Sequence, residues 1–208
     1  MLRLAFLHGF LRNKDDWAEV IRFLPEFSCL ALDYPFAPPQ DAIVVGYSMG
    51  GRIALSLPQP KIIISAHVGL RSGHAERRAE EDAWMEKLQT LPYSSFLDQW
   101  YDQPVFETLR VHPIFADYKK RCQNSEVALQ QLSHHRISEQ PLLLPGNAYY
   151  IHGEKDKKYA DLYNQFSLNS IAIPRSGHVC PIENPEECAR AIRIHVDSIQ
   201  NLHRHHLS

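Results

Sequence analysis

Long apolar runs are missing from this chain of 208 residues, whose longest apolar stretches lie within LAFL and KIIISA. A membrane-spanning helix needs about 20 predominantly apolar residues, so we expect no membrane segment. Excess charge is also missing, because 22 Lys and Arg face 24 Asp and Glu for a formal net charge of −2. With no block of like charges, nucleic acid is not an expected partner. The opening MLRLAFLHGF carries one basic residue and continues into a strand pattern, which is not typical of a signal peptide.

Paired metal-binding or redox cysteines are absent as well. The four cysteines form no CxxC pair and have no metal-ligand spacing; they are Cys29, Cys122, Cys180 and Cys188. Such scattered thiols suit a reducing compartment, so we expect a cytoplasmic protein. Histidine is abundant, and four of the twelve fall near the C-terminus: His195, His203, His205 and His206. We interpret these four as the solvated end of a helix and predict no metal site.

The remaining composition, 44% apolar and 22% charged, is that of an ordinary globular chain long enough for one domain with a sizeable core. Short runs rich in β-branched residues alternate with helical patterns, which predicts an α/β fold with a mostly parallel sheet. Six strands are predicted, at 2–8, 28–33, 42–46, 61–66, 147–152 and 168–173. Helices are predicted at 14–25, 48–57, 74–90, 92–101, 157–166 and 184–202. We predict a single domain over 1–208, with its core in 1–70 and 143–208 and a helical cap in about 71–142.

The connection between the second and third predicted strands is unusually short. Only the eight residues YPFAPPQD, 34–41, separate them, and three of these are proline. Parallel strands normally need a longer crossover that contains a helix, and proline excludes a helix here. Eight extended residues nevertheless reach about 26–29 Å. We therefore predict an extended strap in place of the usual helix.

A candidate nucleophile lies in the stretch VVGYSMGGRIAL, residues 44–55. Ser48 sits between Gly46 and Gly50, after a buried-looking strand and before a helix, which is the setting of a nucleophile elbow. Glycines are needed because bulky flanking side chains would clash in so sharp a turn. The alternative is a glycine-rich turn with an incidental serine.

A serine nucleophile needs a histidine base and an acid to orient it. In this fold class the acid and the histidine follow the serine in chain order, after late strands. Asp156 follows the strand at 147–152, and His178 follows the next strand. The alternatives are a helix cap for Asp156 and a surface-loop role for His178. The backbone N–H groups of Phe10 and Met49 are the candidate oxyanion hole.

These motifs resemble the α/β-hydrolase superfamily and, within it, the family of 2-succinyl-6-hydroxy-2,4-cyclohexadiene-1-carboxylate (SHCHC) synthases of menaquinone biosynthesis. The resemblance covers most of the chain, in LHGFLRNKDDW, GYSMGGRIAL, SAHVGL, RRAEEDAW, WYDQPVF, KKRCQNS, HGEKDKKY and SGHVCPIENP. The segment DYPFAPPQD departs from it, because the family usually has DLPGHG-S followed by a helix.

The resemblance implies a small polycarboxylate substrate, no metal and no organic cofactor. It implies a substrate-binding set of three arginines and four aromatic residues: Arg52, Arg78, Arg121, Tyr47, Trp100, Tyr101 and Phe106. Arginine suits this role because its guanidinium binds carboxylates bidentately. From the residues alone, an ion pair of Arg78 with Asp82 on a solvated helix face stays open. A core role for Trp100 and Phe106 also stays open, and Arg77 is the neighbour expected to be solvated.

The implied reaction is an elimination. His178, held by Asp156, makes Ser48 basic enough to take a proton from the substrate ring, and pyruvate leaves. Two other function classes remain: a carboxylesterase or thioesterase that works through an acyl-enzyme, and a non-catalytic binding module on the same scaffold.

Overall fold

The computed structural model describes residues 1–205, and their side chains as far as Asn201. Six strands form one sheet in the order β2-β1-β3-β4-β5-β6, and every neighbouring pair is parallel. The strands are β1 Arg3–Leu7, β2 Ser28–Leu32, β3 Ile43–Tyr47, β4 Lys61–Ile64, β5 Ala148–Gly153 and β6 Ser170–Ile173. All six predicted strands and the predicted fold class are thereby confirmed.

The connections supply the helices. They are α1 Ala18–Arg22, α2 Met49–Leu55, α3 His74–Thr90, α4 Tyr93–Tyr101, α5 Glu107–Arg110, α6 Phe115–Lys120, α7 Ser125–His134, α8 Lys157–Gln165, α9 Cys180–Glu183 and α10 Pro185–His205. Short 3₁₀ turns cover Lys14–Trp17, Pro104–Phe106 and Ile137–Glu139. The predicted helix 14–25 is instead a 3₁₀ turn followed by α1. It ends early because Pro25 disfavours helical geometry in the residue before it.

The sheet is buried on both faces at its centre. All five residues of β3 are buried, as are four of the five in β1, which explains their unbroken apolar runs. Strand β2 lies at the sheet edge and is only partly buried. Because all six strands are parallel, their carboxyl ends meet at one edge, where α/β folds place their ligands.

The predicted strap between β2 and β3 is confirmed. Residues 33–42 contain no helix, and one turn hydrogen bond, from Ala42 N–H to the Pro39 carbonyl, is 3.2 Å long. Two aromatic side chains of the strap pack against histidines in other segments of the chain. The Phe36 ring meets His8 edge-on at 4.9 Å, and the Tyr34 ring meets His135 at 5.3 Å. The strap therefore joins the β1 end to the segment between β4 and β5.

That segment holds α3 to α7, so the helical content predicted for it is present. At the other end of the chain, the histidine prediction is partly wrong. His195 is buried on α10, and its Nε2 lies 3.1 Å from the Tyr150 carbonyl oxygen, because that face of α10 covers the sheet. The His203 and His205 side chains and the whole of His206 lie outside the described residues. No helix in the described range is long and apolar enough to cross a membrane.

Candidate active site

The turn between β3 and α2 places Ser48 in a left-handed conformation, with φ 52°. The flanking glycines are a steric requirement. A Cβ atom on Gly46 would lie 2.5 Å from the Gly50 carbonyl oxygen, and one on Gly50 would lie 2.4 Å from the Leu7 carbonyl oxygen. Hydrogen bonds from Ser48 N–H to Ile64 O (2.9 Å) and from Gly50 N–H to His8 O (3.1 Å) hold the turn against its neighbours. The local geometry is that of a nucleophile elbow.

Two backbone N–H groups beside the elbow are free to bind a ligand. Neither Phe10 N–H nor Met49 N–H donates to an acceptor within the described part of the chain. Both residues line the same cavity as Ser48. Gly9 permits this close approach, since a Cβ atom there would lie 2.8 Å from a Tyr47 ring carbon. The donor pair predicted for the oxyanion hole is thus brought to the cavity.

Asp156 and His178 meet at the ends of β5 and β6. The Asp156 Oδ2 atom lies 3.1 Å from His178 Nδ1, and both side chains are buried. Burial by itself would raise the pKa of Asp156, but the hydrogen bond and charge interaction with His178 outweigh it and keep that pKa below its usual value. The buried Ser65 hydroxyl also favours the ionised carboxylate, although it makes no hydrogen bond of normal geometry. Asp156 is thus an ionised partner that orients the histidine ring.

Ser48 and His178 line one cavity of about 380 Å³. The Ser48 hydroxyl makes no hydrogen bond to His178 or to any other described residue, although both side chains line the same cavity. The His178 ring is held from two sides. It stacks on Tyr159 at 5.0 Å, and the Phe106 ring meets it edge-on at 5.9 Å. A ligand in the cavity would therefore contact both the hydroxyl and the imidazole.

Aromatic side chains form much of the cavity wall. The four aromatic residues predicted for substrate binding all line it: Tyr47, Trp100, Tyr101 and Phe106. Trp100 packs edge-on against Phe10 at 4.7 Å and against Trp84 at 5.0 Å. Several of these rings also pack on the buried core, so the alternative core role and the lining role coexist.

Arg52 lies one helical turn after Ser48 and lines the same cavity. Its guanidinium makes no ion pair or side-chain hydrogen bond with any residue that the structure describes. Burial lowers the pKa of Arg52 to about 10, which leaves the side chain charged at neutral pH. The cavity therefore contains a cation that the protein itself does not neutralise.

The other two predicted arginines do not line the cavity. Arg78 is exposed and pairs with Glu139 at 3.2 Å, and Arg121 pairs with Asp16 at 3.5 Å. The structure thus places Arg78 outside the cavity, and its neighbour Arg77 lines the cavity instead. Successive residues of a helix are about 100° apart around its axis, so α3 turns Arg77 toward the cavity and Arg78 toward solvent.

The expectation that Arg77 is solvated is corrected in the same way. Arg77 lines the cavity, where its guanidinium lies 3.1 Å from Glu80 and 3.1 Å from Glu81. The alternative pair of Arg78 with Asp82 does not form either, because Asp82 bonds Arg136 instead. Of the cationic residues on α3, only Arg77 faces the cavity, and it is already paired with acids.

Lys158 and Gln131 are two of several cavity residues that had no predicted role. Lys158 stands at the rim, on the first turn of α8, and burial followed by the charge of Arg77 lowers its pKa. Its place two residues after Asp156 is a signal that sequence reasoning had available. Gln131 on α7 is fully buried and also lines the cavity. No motif marks Gln131, because its position depends on how the helices of the insertion pack.

The elbow, the Asp156–His178 pair and the parallel sheet agree with a family match. Residues 7–191 match the model of the alpha/beta hydrolase family. The chain belongs to this family. Among solved structures, MenH from S. aureus superposes with a TM-score of 0.83 at 20% identity, covering 96% of this chain and 94% of that one. A malate-bound esterase from Thermogutta terrifontis superposes with a TM-score of 0.72 at 18% identity, covering 96% and 90%.

Relatives of known name are similar to this chain over most of its length. The 2-succinyl-6-hydroxy-2,4-cyclohexadiene-1-carboxylate synthase of Enterobacter sp. (strain 638) is 30% identical over 230 residues, covering 91% of this chain and 89% of its own length. A Haemophilus influenzae protein with the same name, there given provisionally, is 30% identical over 237 residues, covering 92% and 96%. The resemblance to SHCHC synthases that the motifs predicted is confirmed.

Proposed function

We propose that this chain is a carbon–oxygen lyase of the SHCHC synthase type. It eliminates pyruvate from 2-succinyl-5-enolpyruvyl-6-hydroxy-3-cyclohexene-1-carboxylate in menaquinone biosynthesis. The observation that carries the proposal is Arg52, an unneutralised guanidinium in an aromatic-lined cavity beside Ser48. Such a group suits a polycarboxylate, because guanidinium and carboxylate form strong charge-assisted hydrogen bonds. Relatives named for this activity support the assignment.

In the proposed reaction Ser48 acts as a base and forms no acyl-enzyme. His178 accepts the hydroxyl proton as Ser48 takes a proton from the substrate ring. The ring electrons then form the new double bond, the carbon–oxygen bond to the enolpyruvyl group breaks, and the proton held on His178 returns to complete pyruvate. Asp156 stabilises the imidazolium, since its carboxylate is held ionised beside Nδ1.

Negative charge that develops on a substrate oxygen would be held by the N–H groups of Phe10 and Met49. Both lie beside the elbow and lack a protein acceptor in the described range. Met49 is also the first residue of α2, where unpaired backbone donors favour an anion. The residues present therefore account for the base, its orienting acid and the charge stabilisation, and we propose that no metal or organic cofactor takes part.

The competing function is ester or thioester hydrolysis through an acyl-enzyme on the same residues. An assay of both activities with the purified protein decides between them. Pyruvate release from the enolpyruvyl substrate is measured with lactate dehydrogenase as the coupling enzyme. We expect its kcat/KM to be much higher than that for hydrolysis of 4-nitrophenyl acetate. Fast ester hydrolysis without pyruvate release would reject the lyase proposal in favour of the esterase.

A further inference from the structure

Gln131 is a polar residue in the cavity wall with one unused hydrogen-bonding group. It lies in the last turn of α7, its side chain is fully buried, and it lines the cavity that holds Ser48 and Arg52. Its neighbours in that part of the wall, Leu132 and Ile137, are apolar. Buried polar groups nearly always have hydrogen-bond partners, so a buried amide among such neighbours raises the question of what its donor binds.

The orientation of the amide follows from a single contact. Leu11 N–H lies 3.1 Å from Gln131 Oε1. A backbone N–H group can only donate, so the atom facing it must be the amide oxygen and not the nitrogen. The Gln131 NH₂ group therefore points away from Leu11. It has no acceptor within the described part of the chain.

An unpaired buried donor destabilises a folded protein by about 1–3 kcal/mol, and an acceptor supplied by a ligand would remove that cost. The buried acidic residue that lines the cavity, Glu81, does not accept from Gln131. Its carboxylate already accepts hydrogen bonds from Ser138, from the Ile137 N–H group and from Arg77. The donor thus has no acceptor in the described part of the protein, and it belongs to a side chain that lines the cavity.

We propose that Gln131 is a substrate-binding residue that donates from Nε2 to a carboxylate or carbonyl oxygen of the bound ligand. This inference rests on the proposed function in one respect, that the cavity is the substrate site. Gln131 thus adds a neutral side-chain donor for ligand oxygens to the charged donor Arg52. A ligand that presents an apolar group or an N–H donor to Gln131 is rejected, because the amide then stays unpaired.

Gln131 also connects ligand binding to the candidate oxyanion loop. Leu11 directly follows Phe10 and has a φ of 68°, an uncommon conformation for a residue with a branched side chain. Both backbone polar groups of Leu11 bind to the insertion. Gln131 accepts from Leu11 N–H, and Gln123 N–H donates to the Leu11 carbonyl at 2.8 Å. A ligand bound to the Gln131 amide is therefore bound to the same side chain that fixes this loop.

The substitution Gln131→Glu separates the two contacts of this side chain. One carboxylate oxygen still accepts from Leu11 N–H, but the donor becomes an acceptor that repels a ligand carboxylate. Gln130→Glu is the matched control, because it makes the same change at an exposed position of the same helix. Benzoate is the probe, a carboxylate on a six-membered ring that does not depend on the proposed reaction. Its binding is followed by tryptophan fluorescence, since Trp84 and Trp100 line the cavity.

We expect Gln131→Glu to raise the benzoate Kd by at least about ten-fold, the loss expected for a hydrogen bond to a charged group. Gln130→Glu should stay within about two-fold of the unmodified protein. The difference in benzoate Kd between Gln131→Glu and Gln130→Glu should be larger at about pH 9 than at about pH 6. Burial raises the pKa of the introduced carboxyl at position 131, and its protonated form, which is favoured at the lower pH, can still donate to benzoate. Should Gln131→Glu fail to fold, Gln131→Met removes the donor at similar volume and should weaken benzoate likewise.

Unchanged benzoate binding in both Gln131 variants would overturn the proposal, as would an unmodified protein that binds no benzoate. The pyruvate assay tests the lyase function independently of the role of Gln131. Pyruvate release by the unmodified protein, with kcat/KM unaffected in Gln131→Glu, rejects the role of Gln131 and leaves the lyase assignment intact. Weakened benzoate binding in a protein that releases no pyruvate rejects the lyase assignment and leaves the donor role intact.

Discussion

At the scale of single residues, the elbow serine and its histidine make the first prediction. Ser48→Ala and His178→Ala should each lower kcat/KM for pyruvate release by at least about 100-fold, the range expected for loss of general acid–base catalysis. Ser56→Ala is the control, because Ser56 ends the same helix on the exposed side. The unfolding midpoints of all three variants should stay close to that of the unmodified protein. Activity of either active-site variant near that of Ser56→Ala would remove its residue from the mechanism.

Arg52 is where the lyase and esterase proposals differ most. Arg52→Ala removes charge-assisted hydrogen bonds worth about 1.5–3 kcal/mol, so kcat/KM for the polycarboxylate should fall about ten- to a hundred-fold. Arg52→Lys should restore only part of the loss, since a point charge does not reproduce the guanidinium fork. Any hydrolysis of 4-nitrophenyl acetate should hardly change in either variant.

The structure supplies a matched control for this test in Arg78, which is exposed and outside the cavity. Arg78→Ala should leave pyruvate release nearly unchanged. Equal losses of both activities in Arg52→Ala would mean that Arg52 supports the elbow helix and does not recognise charge. A large loss in Arg78→Ala would contradict the placement of the cationic side chains on α3.

At the scale of elements, a buried ion pair fastens the loop after β1 to the insertion. The Arg12 guanidinium binds both carboxylate oxygens of Asp16, at 2.5 and 2.7 Å. It also donates to the Tyr118 carbonyl at 2.7 Å and stacks over the Tyr118 ring at 3.5 Å. Because Tyr118 lies on α6, this one side chain positions both the candidate oxyanion loop and a wall of the cavity.

Removal of the Arg12 side chain would leave Asp16 as a largely buried charge without its main partner. Arg12→Ala should therefore lower the free energy of unfolding by about 3–5 kcal/mol in urea denaturation. Arg3→Ala is the control, since Arg3 pairs with Asp41 at 2.9 Å with both side chains exposed. It should change stability by at most about 1 kcal/mol. Similar effects of the two substitutions would show that the buried pair does not fasten these elements.

At the scale of the whole molecule, the buried Asp156 couples stability to pH. Its pKa in the folded protein lies below the usual value, so the folded state favours the ionised form. The resulting stabilisation is complete above the pKa of the unfolded chain, about 4, and is lost as the pH falls through the lowered folded pKa. The free energy of unfolding of the unmodified protein should therefore exceed that of Asp156→Asn at neutral pH, and the gap should narrow in acid below about pH 4. A gap that is constant with pH would contradict this assignment.

Much of the molecule followed from local rules. Six apolar runs, the glycines around Ser48 and the chain order of Ser48, Asp156 and His178 determined the sheet, the elbow and the residues that line its end. The strap was predictable from the length of the connection, because three prolines in eight residues exclude a helix and an extended chain of eight residues still spans the distance from the end of β2 to the start of β3. These features are readable because each depends on backbone sterics or on a short apolar run within one strand.

Only the tertiary structure decided which side chains of the helical insertion face the cavity. Neighbouring positions on α3 differ by about 100° in direction, so the rotation of the helix about its axis decides whether Arg77 or Arg78 faces the cavity, and sequence pattern does not resolve that rotation. Arg121 is drawn to Asp16, a residue more than a hundred positions away. The Gln131 amide oxygen likewise accepts from Leu11, which is 120 positions away. The sequence by itself determined the fold and its elbow. Long-range packing, which brings distant partners within hydrogen-bond distance, decided which side chains of the insertion line the cavity.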